Sequence, residues 1–293
     1  MAFRTQLWET GPMVQKLSAA QTFAQAPWAQ LDASVLTRAR SVPTMLNPAE
    51  EKLYYWLAAH WLRGTGDIVD LGCFAGGSTA RLAEGLRAGR HPGHIHAFDR
   101  FTARPRNKEN ILYPHGIAPF SGHDILPLAR RLLAPWDDLV TLHPGEIEDN
   151  GWQGRPIELL TIDAGKTAAS ADAIAEIFFP HLLPGQSIVV QQDFFHTSQP
   201  WLAAQMQRLS AFFTPLALCK QTAMVFQCRT RPDTPSLHAA RTARLTDDDL
   251  VADIRSAQKW LRRYSRPWRF LHLTQAVEKN PGAREAWRFR SAP

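Results

Sequence analysis

Two carboxylates and the glycine-rich stretch between them carry the most specific chemistry in this chain. Asp70 ends the run Asp67-Ile68-Val69-Asp70, Gly72-Cys73-Phe74-Ala75-Gly76-Gly77-Ser78-Thr79 follows, and Asp99 ends a second run, Ile95-His96-Ala97-Phe98-Asp99. A carboxylate just before such a turn attracts a ligand with an ammonium group and repels a pyrophosphate. A carboxylate at the end of the second run can accept both hydroxyls of a ribose, in charge-assisted bonds worth roughly 1.5–3 kcal/mol each. The Gly-x-Gly-x-x-Gly fingerprint of dinucleotide-binding enzymes is not met, because the glycines fall at 72, 76 and 77.

These side chains need elements that bring them together. Each acid closes an apolar run of strand length, and Thr79-Ala80-Arg81-Leu82-Ala83-Glu84-Gly85-Leu86 repeats apolar residues at helical spacing. The segment therefore reads strand, turn, helix, strand, with the turn where an α/β sheet binds nucleotides. Gly72 lets the chain leave the strand in a conformation closed to residues with a Cβ. Gly76 and Gly77 are expected to let backbone approach the ligand, with Ser78 or Thr79 capping the helix. Further strands are expected at 139–143, 157–163 and 187–193, helices at about 168–179 and 200–213, and a closing hairpin from the runs 215–219 and 223–228. This alternation predicts an α/β fold with a central, mostly parallel sheet and helices on both faces. Ahead of it, Asn47 caps a helix that starts at Pro48, with Glu50 and Glu51 in its first turn.

The pattern Asp70-x-Gly72-x-x-x-Gly76 resembles the first motif of the class I S-adenosylmethionine-dependent methyltransferases. Ile162-Asp163-Ala164-Gly165-Lys166 resembles the Asp-Ala-x-Lys signature of small-molecule O-methyltransferases of the catechol and caffeoyl-CoA type. The wider pattern, including Ser41 to Leu46, is also similar to the macrocin-type sugar O-methyltransferases. The resemblance spans about 41–228 and implies a Rossmann-like methyltransferase fold with S-adenosylmethionine as cofactor. It also implies methyl transfer to a hydroxyl of a small molecule, a sugar or natural product. The cofactor residues it implies are Asp70, Gly72, Cys73, Phe74, Gly76, Ser78, Asp99, Arg100, Glu146 (near the adenine) and Asp163. The implied catalytic residues are Lys166, Asp163 and Asp193, with Lys166 a base if its surroundings lower its pKa from about 10.4. Asp193 and His196 are alternative bases on the adjoining strand end. Relatives hold Mg²⁺ with carboxylates from two strand ends, and Asp163 supplies the first. The second, an acidic pair, falls here on Gln191 and Gln192, and Asp193 reaches the place only through a one-residue bulge. Two amides for two acids remove up to two charges from a site that prefers carboxylate oxygens, so no metal site is expected.

At 293 residues, with 45% hydrophobic and 20% charged content, the chain has the composition of a globular protein. No run approaches the ~20 apolar residues of a membrane span. Arg4, Gln6 and Glu9 do not make the basic-then-apolar start of a secretion signal. Cys73, Cys219 and Cys228, with no Cys-x-x-Cys pair, indicate neither a disulfide framework nor zinc, so a cytoplasmic home is expected. The net charge of +6 is uneven: residues 229–293 hold 14 of the 33 basic and 7 of the 27 acidic residues, leaving 19 and 20 elsewhere.

Three regions follow: a helical or irregular extension at 1–46, the cofactor-binding domain at 47–228, and a basic helical extension at 229–293. In the last, Thr246 and three acids start a helix with Leu250, Ile254, Ala257, Leu261 and Tyr264 on one face. Trp260, Tyr264, Trp268 and Phe270 interleave with Arg262, Arg263, Arg266 and Arg269, a mixture able to stack on bases and track phosphates. The acids at 247–249 favour a docking helix instead. A nucleic-acid methyltransferase is thus one alternative, weakened by the absence of an Asn/Asp-Pro-Pro-aromatic tetrad. A protein that keeps the fold without catalysis is another, motivated by Gln191 and Gln192. The resemblance suggests a homodimer.

Overall fold

The computed structural model describes residues 17–220 and 222–290. Arg4, Gln6 and Glu9, on which the expectation about secretion rests, lie outside the described residues. The strands are β1 (Asp67–Leu71), β2 (Ile95–Asp99), β3 (Val140–Pro144), β4 (Ile157–Ile162), β5 (Ile188–Gln191), β6 (Phe213–Cys219) and β7 (Ala223–Cys228). They form one sheet in the order β3-β2-β1-β4-β5-β7-β6. The first five are mutually parallel, and β7 runs antiparallel to both β5 and β6. This is the mostly parallel α/β sheet, with its closing hairpin, that the sequence predicts.

Strand alternation decides the two layers. Ile68, Leu159, Ile188 and Val190 face a core with helices α1 (Pro48–Trp56) and α2 (Gly77–Gly89). Val69, Leu71, Leu160, Ile162 and Val189 face the other core. There they meet α4 (Ala168–Phe178), α5 (Trp201–Arg208), α6 (Asp247–Trp260) and α7 (Pro267–Lys279); α3 (Leu126–Leu133) lies in the connection before β3. β1 lies between β2 and β4, so the crevice of the sheet opens at the C-terminal ends of these strands. α5 stops at Arg208 rather than near Phe213, because Phe213 starts β6 and packs edge-on against Phe179 at 5.2 Å.

Both flanking segments pack into these same cores. On the N-terminal side, the buried Arg81 guanidinium donates to Glu51 at 2.9 and 3.1 Å, to Val42 O at 2.8 Å and to Gly77 O at 3.0 Å. On the C-terminal side, buried Asp172 of α4 accepts from the N–H groups of Thr242 and Ala243 and from Gln205. Thr246 caps α6, whose Leu250, Ile254 and Ala257 are buried as the helical spacing predicts. Tyr264 donates to Pro215 O at 2.7 Å, and Trp260 stacks on Phe226. With Phe270 also buried, three of the four aromatics read as able to stack on bases are engaged by the protein itself. Among the described residues no helix is long and apolar enough to cross a membrane.

Candidate active site

The turn after β1 is built around conformations that most residues avoid. Gly72 has φ +92°, and a Cβ there would lie 2.9 Å from the carbonyl carbon of Asp163. Phe74 and Phe101 both take φ +52° without being glycine, a strain of order 1–3 kcal/mol each. The return is visible at Asp99. Phe74 N–H donates to Asp99 Oδ2 at 2.9 Å and Phe101 N–H to Oδ1 at 2.7 Å. A carboxylate offers about four acceptor sites, so Asp99 retains capacity on the side where it lines the cavity. Its burial pushes the carboxyl's pKa up, against the pull of those two N–H groups and Arg100.

Asp70 sits deeper. Register places it beside Thr161 of β4, whose hydroxyl donates to Oδ1 at 2.8 Å, while Ser78 and Thr79 both donate to Oδ2 at 2.7 Å. Here the structure corrects the capping expectation: the N-cap of α2 is Gly76, and both hydroxyls hold the Asp70 carboxylate instead. Two glycines of the turn also meet close neighbours. A Cβ on Gly76 would strike Leu133 at 2.6 Å, and one on Gly77 would strike Pro43 O at 2.4 Å. Their smallness lets α3 and the 43–46 strap close onto the turn.

A cavity of about 870 Å³ opens over these strand ends. Of the cofactor residues implied by sequence, Gly72, Phe74, Asp99, Arg100, Glu146 and Asp163 line it. Asp70, Cys73 and Ser78 line a narrow adjoining cleft under the 43–46 strap, and Gly76 lines neither. Arg100 donates to Glu146 at 2.8 Å across the rim rather than to Asp99. The Cys73 thiol, raised well above its ordinary pKa by burial, stays protonated.

On the far side, Lys166 Nζ donates to Asp163 Oδ1 at 2.5 Å and to Asp193 Oδ2 at 2.7 Å, and Gln199 also donates to Asp193 Oδ2 at 3.0 Å. Burial disfavours the lysine's charge, but the two carboxylates outweigh it and raise its pKa. The base role for Lys166 needed the opposite shift, so as arranged it is a fixed ammonium. Burial raises Asp163 to about 6, while Lys166 holds Asp193 below its ordinary value against its own burial. Asp193 arrives without a bulge: β5 ends at Gln191, and a left-handed turn at Asp193 (φ +54°) swings its carboxylate to Lys166.

Mg²⁺ does not fit these donors. The ammonium already bridges the two carboxylates, and Gln191 lies between Ile162, Gly165 and Leu202 inside the protein. Gln192 and Glu50 both line the cavity. Gln192 Oε1 is buried at the cavity wall with no partner among the described residues, so it suits a ligand ammonium or hydroxyl.

Several further residues form the walls, most of them not singled out by sequence reasoning. Asn47 and Glu50, read only as a helix start, form a capping box that turns Glu50 into the cavity wall. Arg104 and Asn107 come from the basic segment after β2. Ala286 and Trp287 come from the C-terminal segment, which binds the loop after β4 through Ala286 N–H to Lys166 O at 2.9 Å and Ala168 N–H to Arg284 O at 2.8 Å. Of these walls only the basic loop 100–121 carried a signal in the sequence, since a loop at this end of the sheet often shapes an acceptor pocket.

A Rossmann-like sheet with a ribose-ready carboxylate at the end of β2, and a cavity of this size beside it, defines the class I methyltransferase architecture, and S-adenosylmethionine fits its residues. A family model described as a methyltransferase domain matches residues 69–193. Residues 69–193 of the chain are thus similar to a methyltransferase domain. Three solved structures resemble it. A candidate O-methyltransferase from Klebsiella pneumoniae is 15% identical with TM-score 0.46, covering 73% of this chain and 97% of that one. The SAH-bound methyltransferase PaMTH1 of Podospora anserina is 14% identical with TM-score 0.45, covering 75% and 100%. The O-methyltransferase NovP is 15% identical with TM-score 0.47, covering 64% and 82%. Likenesses at this level bear on neither the acceptor nor the metal. A sequence search of curated proteins found no match.

Proposed function

We propose that this enzyme methylates a hydroxyl of a small molecule, a sugar or natural product, and does so without a divalent cation. The observation that carries the reading is the Asp163–Lys166–Asp193 cluster at the cavity wall. Asp99 and Glu146 hold the nucleoside, and Asp70, at the base of the turn, supplies the negative field for the ammonium end. The bound cofactor supplies an electrophilic methyl group on a sulfonium sulfur. Asp163, with its pKa raised to about 6, would take the acceptor's hydroxyl proton as the acceptor oxygen bonds to the methyl carbon and the carbon–sulfur bond breaks, the thioether S-adenosylhomocysteine leaving. Lys166 stays protonated and stabilises the negative charge that grows on the acceptor oxygen. Alignment in the cavity contributes the rest of the acceleration. The three cysteines are buried free thiols, in keeping with a reducing cytoplasm.

The test is a panel of sugar and phenolic acceptors with labelled S-adenosylmethionine, with Mg²⁺ or with EDTA. Methyl ether formation should be unchanged by EDTA and should rise with pH through about 6 as Asp163 ionises. Asp163→Asn should lower kcat by about 10²–10⁴-fold. Transfer abolished by EDTA, or a pH profile unmoved by that substitution, contradicts the reading.

A further inference from the structure

A second cavity, of about 430 Å³, adjoins the first. α7 gives it His272, Gln275 and Lys279, and the C-terminal segment gives it Phe289 and Arg290. His196 and Ala286 line both cavities, so the second continues the first away from Asp163.

Its charge is one-sided, for no Asp or Glu among the described residues lines it. Three cations of residues 229–293 outside this cavity are paired with acids: Arg241 with Glu176 at 2.5 Å, Arg284 with Asp247 at 2.8 Å, and Arg288 with Glu285 at 2.6 Å. Lys279 and Arg290 have no acid in ion-pair reach among the described residues, yet their backbone is held. Asn280 Oδ1 accepts Arg290 N–H at 2.9 Å, and Asn280 Nδ2 donates to Ala276 O at 2.8 Å. The segment is further fixed by the Ala286–Lys166 bond beside the reacting cluster.

We propose that this second cavity binds an anionic group, a phosphate or carboxylate, carried by the methyl acceptor at the end remote from the hydroxyl that is methylated. The inference rests on the small-molecule reading above and names the acceptor's chemistry more closely. A guanidinium fork, an ammonium and two imidazoles offer many donors and no acid, the donor set that anionic oxygens take. Phe289 supplies an apolar flank for the body of the molecule.

Calorimetric titration of the full chain with pyrophosphate, and separately with citrate, at constant ionic strength tests it. Saturable binding of either is expected, and the stronger one names the group. Lys279→Gln with Arg290→Gln should weaken it about tenfold or more, the loss of two charge-assisted bonds. The charge-keeping pair Lys279→Arg with Arg290→Lys should restore most of it, which separates lost charge from lost fold. Absence of binding, equal binding by the neutral variant, or a response to single-stranded RNA alone overturns the proposal. S-adenosylmethionine titrated into the same proteins separates the two readings. Cofactor binding without anion binding removes only this inference, whereas failure to bind cofactor removes the proposed function.

Discussion

The two halves of the cavity are made differently. The cofactor half is assembled mostly within residues 67–101, joined by Thr161 and Glu146, and the protein has already engaged its carboxylates: Asp70 with three hydroxyls and Asp99 with two backbone N–H groups. The acceptor half draws on residues from 47 to 290 and leaves groups without an acid or hydrogen-bond partner among the described residues, notably Gln192 Oε1 and the charges of Lys279 and Arg290. Backbone conformation fixes the first half, at left-handed Gly72, Phe74 and Phe101. Charge balance around one lysine and a docked C-terminal segment fix the second. A cofactor common to many reactions needs one rigid cradle, whereas an acceptor needs a wall that can differ from one enzyme to the next.

Breaking the cofactor half's outer support should give the largest effect. Arg81→Met strips Glu51 of its buried partner and frees the 42–46 strap, so urea denaturation should show a loss of about 3–5 kcal/mol. Replacing the pair together, Arg81→Met with Glu51→Leu, should recover much of that. Asp99→Ala comes next. It removes the carboxylate proposed to accept the ribose hydroxyls and unpairs two N–H groups of strained turns, so affinity for S-adenosylhomocysteine should fall about 100-fold or more, while acceptor-side anion binding is left in place. The smallest effect concerns the strand edge behind the cradle. His96 Nδ1 and His143 Nε2 lie 3.0 Å apart, and both imidazoles are held below the ordinary 6.5, first by burial and then by neighbouring histidines. The unfolded chain then binds more protons, so this contribution to stability is present above about pH 6.5 and is lost as pH falls below it. Thermal melts of His96→Gln should show a shallower loss between pH 7.5 and 5.5 than the parent protein, and an identical slope would contradict the assignment.

The same contrast explains what the sequence revealed. The strands and the 72–79 turn were legible because alternation and glycine spacing are local signals. Asp99 was legible because it ends an apolar run. Ser78 and Thr79 were misread because a hydroxyl at the start of a helix looks like a cap. Only the parallel register that sets Asp70 beside Thr161 shows why those hydroxyls turn to the carboxylate. Lys166 was readable as reactive but not in its sign, since that depends on Asp193, 27 residues away and delivered by a left-handed turn. Trp287 carries no local signal at all, and its place at the cavity follows from hydrogen bonds made 120 residues upstream, at Lys166.

The most direct measurement is a crystal structure of the full chain with S-adenosylhomocysteine. The account predicts both ribose hydroxyls within hydrogen-bond reach of Asp99, with the sulfur turned toward the Asp163–Lys166–Asp193 cluster. A nucleoside bound elsewhere, or a metal ion displacing Lys166 from between the two carboxylates, would contradict it.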